Sequence, residues 1–298
     1  MLKYVELNFQ SFFNRIDSIK LFGSLIDAYS NLYTNLQEFI VKFENNEILI
    51  SSLFLKRKDI FFFPKPILQL DKEFLTSGNK KEKLEKIEFI KNFKKVKYIS
   101  KNYLEKLLNV GKYSEEILKN FFKNYEDKEK NEFKLIEIPK ISISRITNNS
   151  KIFYKKGEIL PDNYTAFFLI KYEEHTDFDK IINCLKFLMD RGISPNISTG
   201  FGKFELINYG NFPIKLKGNR KYILSKTCLN ETDNLDDNSF YLLEEVKGYS
   251  SRSYIPPRLF LVEGSCISGR IEGKIIKIPN EKNVRYLLYG KPLFFNCN

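Results

Sequence analysis

The sequence predicts an α+β fold, and three observations predict it. Segments of alternating apolar residues and segments of helical period follow one another in the order β-α-β and, after a long interruption, β-α-β again. The 298 residues are 43% hydrophobic and 15% aromatic, with 28 Phe and 17 Tyr, which is ample material for one large core or two smaller ones. A polar stretch bearing Pro and Gly, Tyr209 to Asn219, divides the chain into a longer and a shorter part.

Val5, Leu7 and Phe9 share one face of a first strand. After a break at 14–18 the period becomes helical, with Phe22, Leu25, Ile26, Tyr29, Leu32, Tyr33 and Leu36 recurring at three- and four-residue steps and Asp17 or Ser18 as N-cap. Glu47 to Leu55 reads as a second strand, followed by an aromatic loop interrupted by Pro64 and Pro66. Residues 71–133 are rich in Lys and Glu at helical spacing, as in Leu84, Ile87 and Ile90 or Leu104, Leu107 and Leu108, and are predicted as a helical insertion. Ile136 to Ile146 and Lys151 to Leu160 flank Thr147-Asn148-Asn149-Ser150, whose short polar side chains suit a turn, so 136–160 is predicted to protrude as a β-hairpin arm.

Tyr164 to Tyr172 is the most apolar strand. Thr176 or Asp177 then caps a helix carrying Phe178, Ile181, Ile182, Leu185, Leu188 and Met189, which Gly192 stops. A strand from Lys203 to Tyr209 completes the split βαβ order of a ferredoxin-like domain, assigned to residues 1–212. Residues 213–298 hold short strand candidates at 221–229, 240–246, 259–268 and 274–278, and read as a smaller β-rich or reduced α+β domain.

The formal charge is +12, from 49 Lys and Arg against 37 Asp and Glu, which makes a polyanion the leading class of partner. The start, Met1 to Phe9, alternates instead of forming a basic segment and an apolar run, and the most apolar stretch, Ile60 to Leu68, is short and broken by two prolines. A cytoplasmic protein without signal peptide or membrane span is expected. Cys184, Cys228, Cys266 and Cys297 are scattered without a C-x-x-C pair, so neither a zinc site nor a disulfide framework is suggested.

Enzyme chemistry finds few candidates. The chain has one histidine, His175, beside Glu173, Glu174 and Asp177, which leaves no H-E-x-x-H site and no histidine pair for acid and base work. No phosphate-binding G-x-x-x-x-G-K-[ST] loop, complete G-x-G-x-x-G fingerprint or G-x-S-x-G elbow occurs, so no cofactor is expected. Asp17 and Asp27 flank the first helix and could ligate Mg²⁺, but carboxylates so placed are far more often cap and surface.

Ser198-Thr199-Gly200-Phe201-Gly202-Lys203 is the segment most suited to a phosphodiester backbone. Its two glycines allow positive φ and close approach of N–H groups, while Ser198, Thr199 and Lys203 add hydroxyls and a charge. A glycine turn between helix and strand is also, in most proteins, simply a turn. Two further segments are predicted to converge on the same face: the helix start with Gly23 and Ser24, and the hairpin arm with Ser144, Arg145 and Thr147.

Together these segments resemble the RAMP (repeat-associated mysterious protein) superfamily of CRISPR systems, and within it the family of fourth subunits of the type III-A Csm effector complex. The resemblance is carried by Leu21-Phe22-Gly23-Ser24-Leu25 after the first strand, Ser144-Arg145-Ile146-Thr147, Ser198 to Phe204, and Gly248-Tyr249 followed by Glu263-Gly264-Ser265. It spans nearly the whole chain, although the glycine loop is leaner than in many relatives and the Lys-rich segment 71–133 matches nothing in the family.

The resemblance implies two ferredoxin-like or RRM-like domains, the second reduced, and no catalytic activity. It implies a subunit that caps one end of the effector in antiviral defence and grips the repeat-derived 5′ handle of the CRISPR RNA. Its neighbours would be the backbone RAMP subunit (Csm subunit three) and the large polymerase-like subunit (Csm subunit one). Thr199 to Lys203 and Ser24 would hold handle phosphates, Arg145 would contact a phosphate or stack on a base, and the arm would be the thumb set beside the RNA–target duplex. Two other classes compete. A repeat-processing endoribonuclease of the same superfamily would cut without metal and depend on His175, and a lysine-rich interaction module would bind any polyanion equally.

Overall fold

The computed structural model describes residues 1–71, 79–118, 132–147, 149–193, 197, 200–250, 253–278 and 286–298. In chain order its first part comprises β1 (Leu2–Phe9), α1 (Ser18–Leu32), α2 (Leu36–Glu44), β2 (Ile48–Ile50), β3 (Phe54–Arg57), β4 (Ile60–Pro64), α3 (Lys80–Lys95), β5 (Tyr98–Ser100) and α4 (Lys101–Val110). The arm follows as β6 (Lys134–Ile143) and β7 (Ser150–Ile159), then β8 (Thr165–Tyr172), α5 (His175–Arg191) and β9 (Phe204–Asn211). The main sheet runs β5-β4-β3-β8-β1-β9, with β2 also on β8 and neighbouring strands antiparallel.

Strand β8 explains why its sequence is apolar throughout. Its even residues Ala166, Phe168 and Ile170 join Val5, Leu7 and Phe9 in a core under α1, α2 and α5. Its odd residues Phe167 and Leu169 join Phe63, Leu104, Leu107, Tyr222, Leu224 and Phe295 in a core on the other face. A central strand covered on both faces has no polar side to show in its pattern.

The predicted second strand is two strands. Ile48–Ile50 and Phe54–Arg57 pair with successive stretches of β8, and between them the chain leaves the ladder. There Ser52 N donates to Leu224 O (2.9 Å) and Leu53 N to Ile16 O (3.2 Å), so the break receives both the loop after β1 and the C-terminal part. The aromatic loop predicted after it is a strand: β4 forms a hairpin with β3 and buries Phe62 and Phe63, its prolines falling at and beyond its end. Within 71–133, α3 and α4 are the predicted helices, but β5 lies between them and extends the main sheet through β4. Residues 72–78 and 119–131 lie outside the described residues.

Beyond Asn211 the described residues form strands: β10 (Arg220–Ile223), β11 (Leu243–Ser250), β12 (Ser253–Leu261), β13 (Cys266–Ile267), β14 (Ile276–Ile278), β15 (Tyr286–Leu288) and β16 (Phe294–Cys297). A three-stranded sheet, β13-β10-β16, lies beside the hairpins β11-β12 and β14-β15. The strand predicted over Leu259 to Ser268 is interrupted by the turn Val262–Ser265, where Gly264 has φ +96° and a Cβ would meet Lys65 O at 2.8 Å. All four cysteines are buried and free. No described helix is long and apolar enough to cross a membrane.

Candidate nucleic-acid interface

The glycine loop begins where Gly192 ends α5 and is sewn to the segment after β1. Gly202 N donates to Phe12 O (2.7 Å), Lys203 N to Ser11 Oγ (3.0 Å), Gly200 N to Ile197 O (2.9 Å) and Ile193 N to Gly202 O (2.9 Å). The expectation that the loop's N–H groups receive a phosphate is therefore corrected at Gly200, Gly202 and Lys203: their donors are already used. Gly202, at φ +78°, is required by packing, since a Cβ would meet Ile193 O at 2.4 Å. Phe201 is buried against Phe12, with Lys140 Nζ 5.6 Å from its ring centroid, and pins the loop to the arm instead of offering a stacking face. Gly200 and the Lys203 side chain remain exposed. Ser198 and Thr199 lie outside the described residues.

Helix α1 faces this loop across a cleft of about 340 Å³, whose walls include Asn14, Lys20, Gly23, Ser24, Gly192 and Ile197. Asp17 caps the helix, its Oδ1 accepting from Lys20 N at 3.0 Å. Asp27 accepts from Arg191 Nη1 at 3.0 Å. Cap and ion pair account for the two carboxylates considered above for Mg²⁺. Gly23 is exposed, and a Cβ there would meet nothing within 4 Å. Glycine inside a helix costs about 1 kcal/mol relative to alanine, and no packing among the described residues asks for it here.

Ser144, Arg145 and Thr147 sit at the arm's exposed tip. Ser144 Oγ accepts from Thr147 N (3.3 Å) and shapes the turn. Phe201 meets the arm at Lys140, five residues short of Arg145, which is about 17 Å along a strand. The structure thus brings Gly23, Ser24 and the glycine loop together and sets the Arg145 group apart from them. Cross-strand register gives the arm two faces. One presents Ile141, Ile143, Ile152 and Tyr154, all exposed; the other presents Lys140, Lys151 and Lys155.

Sequence reasoning missed a second cavity, of about 400 Å³, where the break between β2 and β3 meets the Val262–Ser265 turn. Arg15, Lys65, Lys94, Lys97, Tyr98 and Glu263 line it, and the buried Ile16 contributes to the walls of both cavities. Burial, then the neighbouring Lys94, pushes the Lys65 ammonium down to about 8. Glu263 was visible as part of a Glu-Gly-Ser motif, but nothing marks these lysines out among so many in the sequence. His175, exposed at the first turn of α5, is a helix length of about 25 Å from the glycine loop.

No family model matches the chain. A CRISPR-system Csm4 protein of Methanocaldococcus jannaschii is 25% identical over 94% of this chain and 90% of its own length. A chain in the crystal structure of a Csm1–Csm4 cassette with pppApA superposes with a TM-score of 0.69 at 18% identity, covering 100% of this chain and 98% of that one. One in the Csm3–Csm4 subcomplex of a type III-A CRISPR-Cas interference complex superposes at 0.63 and 20% identity, covering 99% of each.

This chain is a relative of Csm4. The likeness to Csm4 extends through the strands after Asn211 as well as the main sheet, as the near-complete coverage requires.

Proposed function

We propose that the chain is a Csm4-type subunit of a type III-A CRISPR effector, that it holds the single-stranded 5′ handle of the CRISPR RNA, and that it performs no chemistry of its own. The whole-length likeness to Csm4 carries the reading. The cleft beside Gly23 and Ser24, with Lys20 in its wall, and the cavity lined by Arg15, Lys65, Lys94 and Lys97 support it, because cations lining concave surfaces on a chain of net charge +12 suit a phosphate backbone. The strand order β9-β1-β8-β2/β3 around α1 and α5 supports a ferredoxin-like first domain; a reduced second domain of the same kind completes the reading.

Csm1 and Csm3, with which Csm4 is crystallised in the related structures, are the partners this reading assigns. The exposed Ile141, Ile143, Ile152 and Tyr154 of the arm, and Leu243, Tyr254 and Leu259 of the β11-β12 hairpin, are apolar surfaces suited to subunit contact. In this role the subunit closes one end of the backbone filament in antiviral defence.

The test is to purify tagged protein from its host at gentle salt, identify co-purifying subunits and sequence the 5′ ends of the bound RNA. One shared short 5′ sequence together with Csm1- and Csm3-like subunits is expected. Heterogeneous RNA and no such partners would sink the reading. Metal-independent cutting of repeat RNA, lost on His175→Ala, would favour the endoribonuclease instead.

A further inference from the structure

In the wall of the second cavity, Lys65 is held more firmly than a surface lysine. Pro64 and Pro66 restrict the backbone on either side of it. Its N–H donates to Lys97 O (2.8 Å), and its carbonyl lies where a Cβ on Gly264 would meet it at 2.8 Å. The half-buried side chain runs to the end of α3, where Nζ donates to Phe93 O (2.7 Å) and Lys94 O (3.4 Å) and lies 4.6 Å from the centroid of the Phe93 ring. Lys65 forms no ion pair among the described residues. The one carboxylate lining the cavity, that of Glu263, accepts from the Ser52 hydroxyl and stands 3.7 Å from Arg15.

Two carbonyls take two N–H donors, which a neutral amine supplies with its lone pair to spare. The charged form has no counter-ion and instead shares the cavity wall with three further cations, Arg15, Lys94 and Lys97; Tyr98 completes the titratable set. With the ammonium held at about 8, roughly a quarter of the amine is neutral at pH 7.5, against about one in a thousand for an ordinary lysine. Desolvation beside other cations is a recurrent way of making a lysine nucleophilic. The same three cations draw an anion inwards, and the volume of about 400 Å³ falls within the range of about 300–1,000 Å³ for small-molecule sites. The cavity thus joins an attacking group to a cradle for an anionic leaving group.

We propose that Lys65 is an acyl-acceptor site, modified directly by small acyl phosphates whose phosphate group is held by Arg15, Lys94 and Lys97. The Nζ lone pair attacks the acyl carbon and the N–C bond forms. The C–O bond to phosphorus-bound oxygen breaks, inorganic phosphate leaves with that electron pair, and the surplus proton on Nζ passes to solvent. The product is a neutral amide with one N–H, so one of the two carbonyl contacts survives and the cavity falls from four cations to three. Acylation would then weaken the pull of this cavity on any polyanion. The site stands independently of the RNA-binding reading, since it needs only the amine and the three cations.

The experiment incubates the full chain, free of RNA, with acetyl phosphate, digests it, and measures acetylation site by site by mass spectrometry. At pH 7.5 Lys65 is expected to react about tenfold faster than the exposed Lys91 and Lys95, its larger neutral fraction being partly offset by the weaker nucleophilicity of a less basic amine. Its rate should level off above pH 8, whereas theirs should go on climbing towards the ordinary lysine value. Inorganic phosphate at constant ionic strength should slow Lys65 and leave Lys91 and Lys95 unchanged, and unfolding the chain in urea should erase the difference between them. Lys65 reacting no faster than Lys91, or showing no plateau, overturns the site. A preference for Lys65 that inorganic phosphate leaves untouched and a neutral acetyl ester reproduces would mean a reactive lysine without an anion cradle, and overturns the assignment to acyl phosphates.

Discussion

Gly202 and Gly23 lie on opposite sides of one cleft and use a missing Cβ in opposite ways. At Gly202 the space is filled by the chain itself: the Ile193 backbone is 2.4 Å from where a Cβ would stand, and the Gly202 and Lys203 N–H groups bond Phe12 O and Ser11 Oγ. At Gly23 the space is empty to 4 Å, within a regular helix whose geometry does not need glycine. The first glycine closes the molecule on itself, while the second keeps a surface open. A glycine-rich loop is thus weaker testimony for a ligand than a solitary exposed helix glycine beside it.

Alanine substitution separates the two. Gly202→Ala combines a left-handed φ of +78° with a backbone clash, so it should destabilise by about 2–4 kcal/mol, read as a lower denaturant midpoint at unchanged slope. A loss below about 1 kcal/mol would mean that the loop relaxes freely and that its donors can be released to a ligand. Gly23→Ala should do the reverse and stabilise by about 1 kcal/mol. Gly23→Leu, which fills the cleft, should weaken RNA binding with no comparable loss of stability. Unimpaired binding by the leucine variant would remove this cleft from the RNA path.

What the sequence made legible follows the same division. Period and stops were readable because local physics sets them: Val5, Leu7 and Phe9 on one face, Asp17 of the two cap candidates Asp17 and Ser18, Gly192 as stop, the alternation of the arm. The cap expected at Thr176 or Asp177 is corrected: α5 starts at His175 after Glu174, and Asp177, inside its first turn, pairs with Lys42 instead. The break after Ile50 and strand β5 were not readable, because each exists through pairing with residues distant in the chain, and the local hairpin strand β4 was hidden by the prolines at and beyond its end. At the site, Gly23 and Ser24 share a cleft wall with Gly192 and Ile197 at the start of the glycine loop, whereas the buried role of Phe201 depends on Phe12 and the arm. The Glu263 cavity joins residues from six separate stretches, and no local pattern announces such a meeting.

The open side of the molecule should also answer to pH. Lys65 Nζ donates to the carbonyls of Phe93 (2.7 Å) and Lys94 (3.4 Å), and the charged or titratable groups around its cavity are Lys94 and Lys97, Arg15, Glu263 and Tyr98. Its ammonium is held at about 8, below the ordinary lysine value, so in the free protein stability should rise as pH climbs from about 8 towards 10.5, where the charge is no longer forced on a buried site. A phosphate at the rim favours the charged form, so the complex takes up a proton and binding tightens as pH falls through 8. Affinity at fixed ionic strength should drop by up to about eightfold between pH 7.5 and 9, and Lys65→Gln should flatten that profile. A flat wild-type profile would place the backbone away from Lys65.

The smallest effect concerns what remains exposed of the glycine loop. Lys203 keeps its side chain in solvent although its N–H is spent on Ser11, so it can act as a point charge near the path without shaping it. Lys203→Gln should lower the slope of log affinity against log salt by about 0.7, the single-strand value for one phosphate contact. An unchanged slope would confine the loop to its structural duty. The cleft at Gly23 and the separate cavity lined by Arg15 and the lysines would then carry the whole backbone, which is the sharpest form of the contrast between the two glycines.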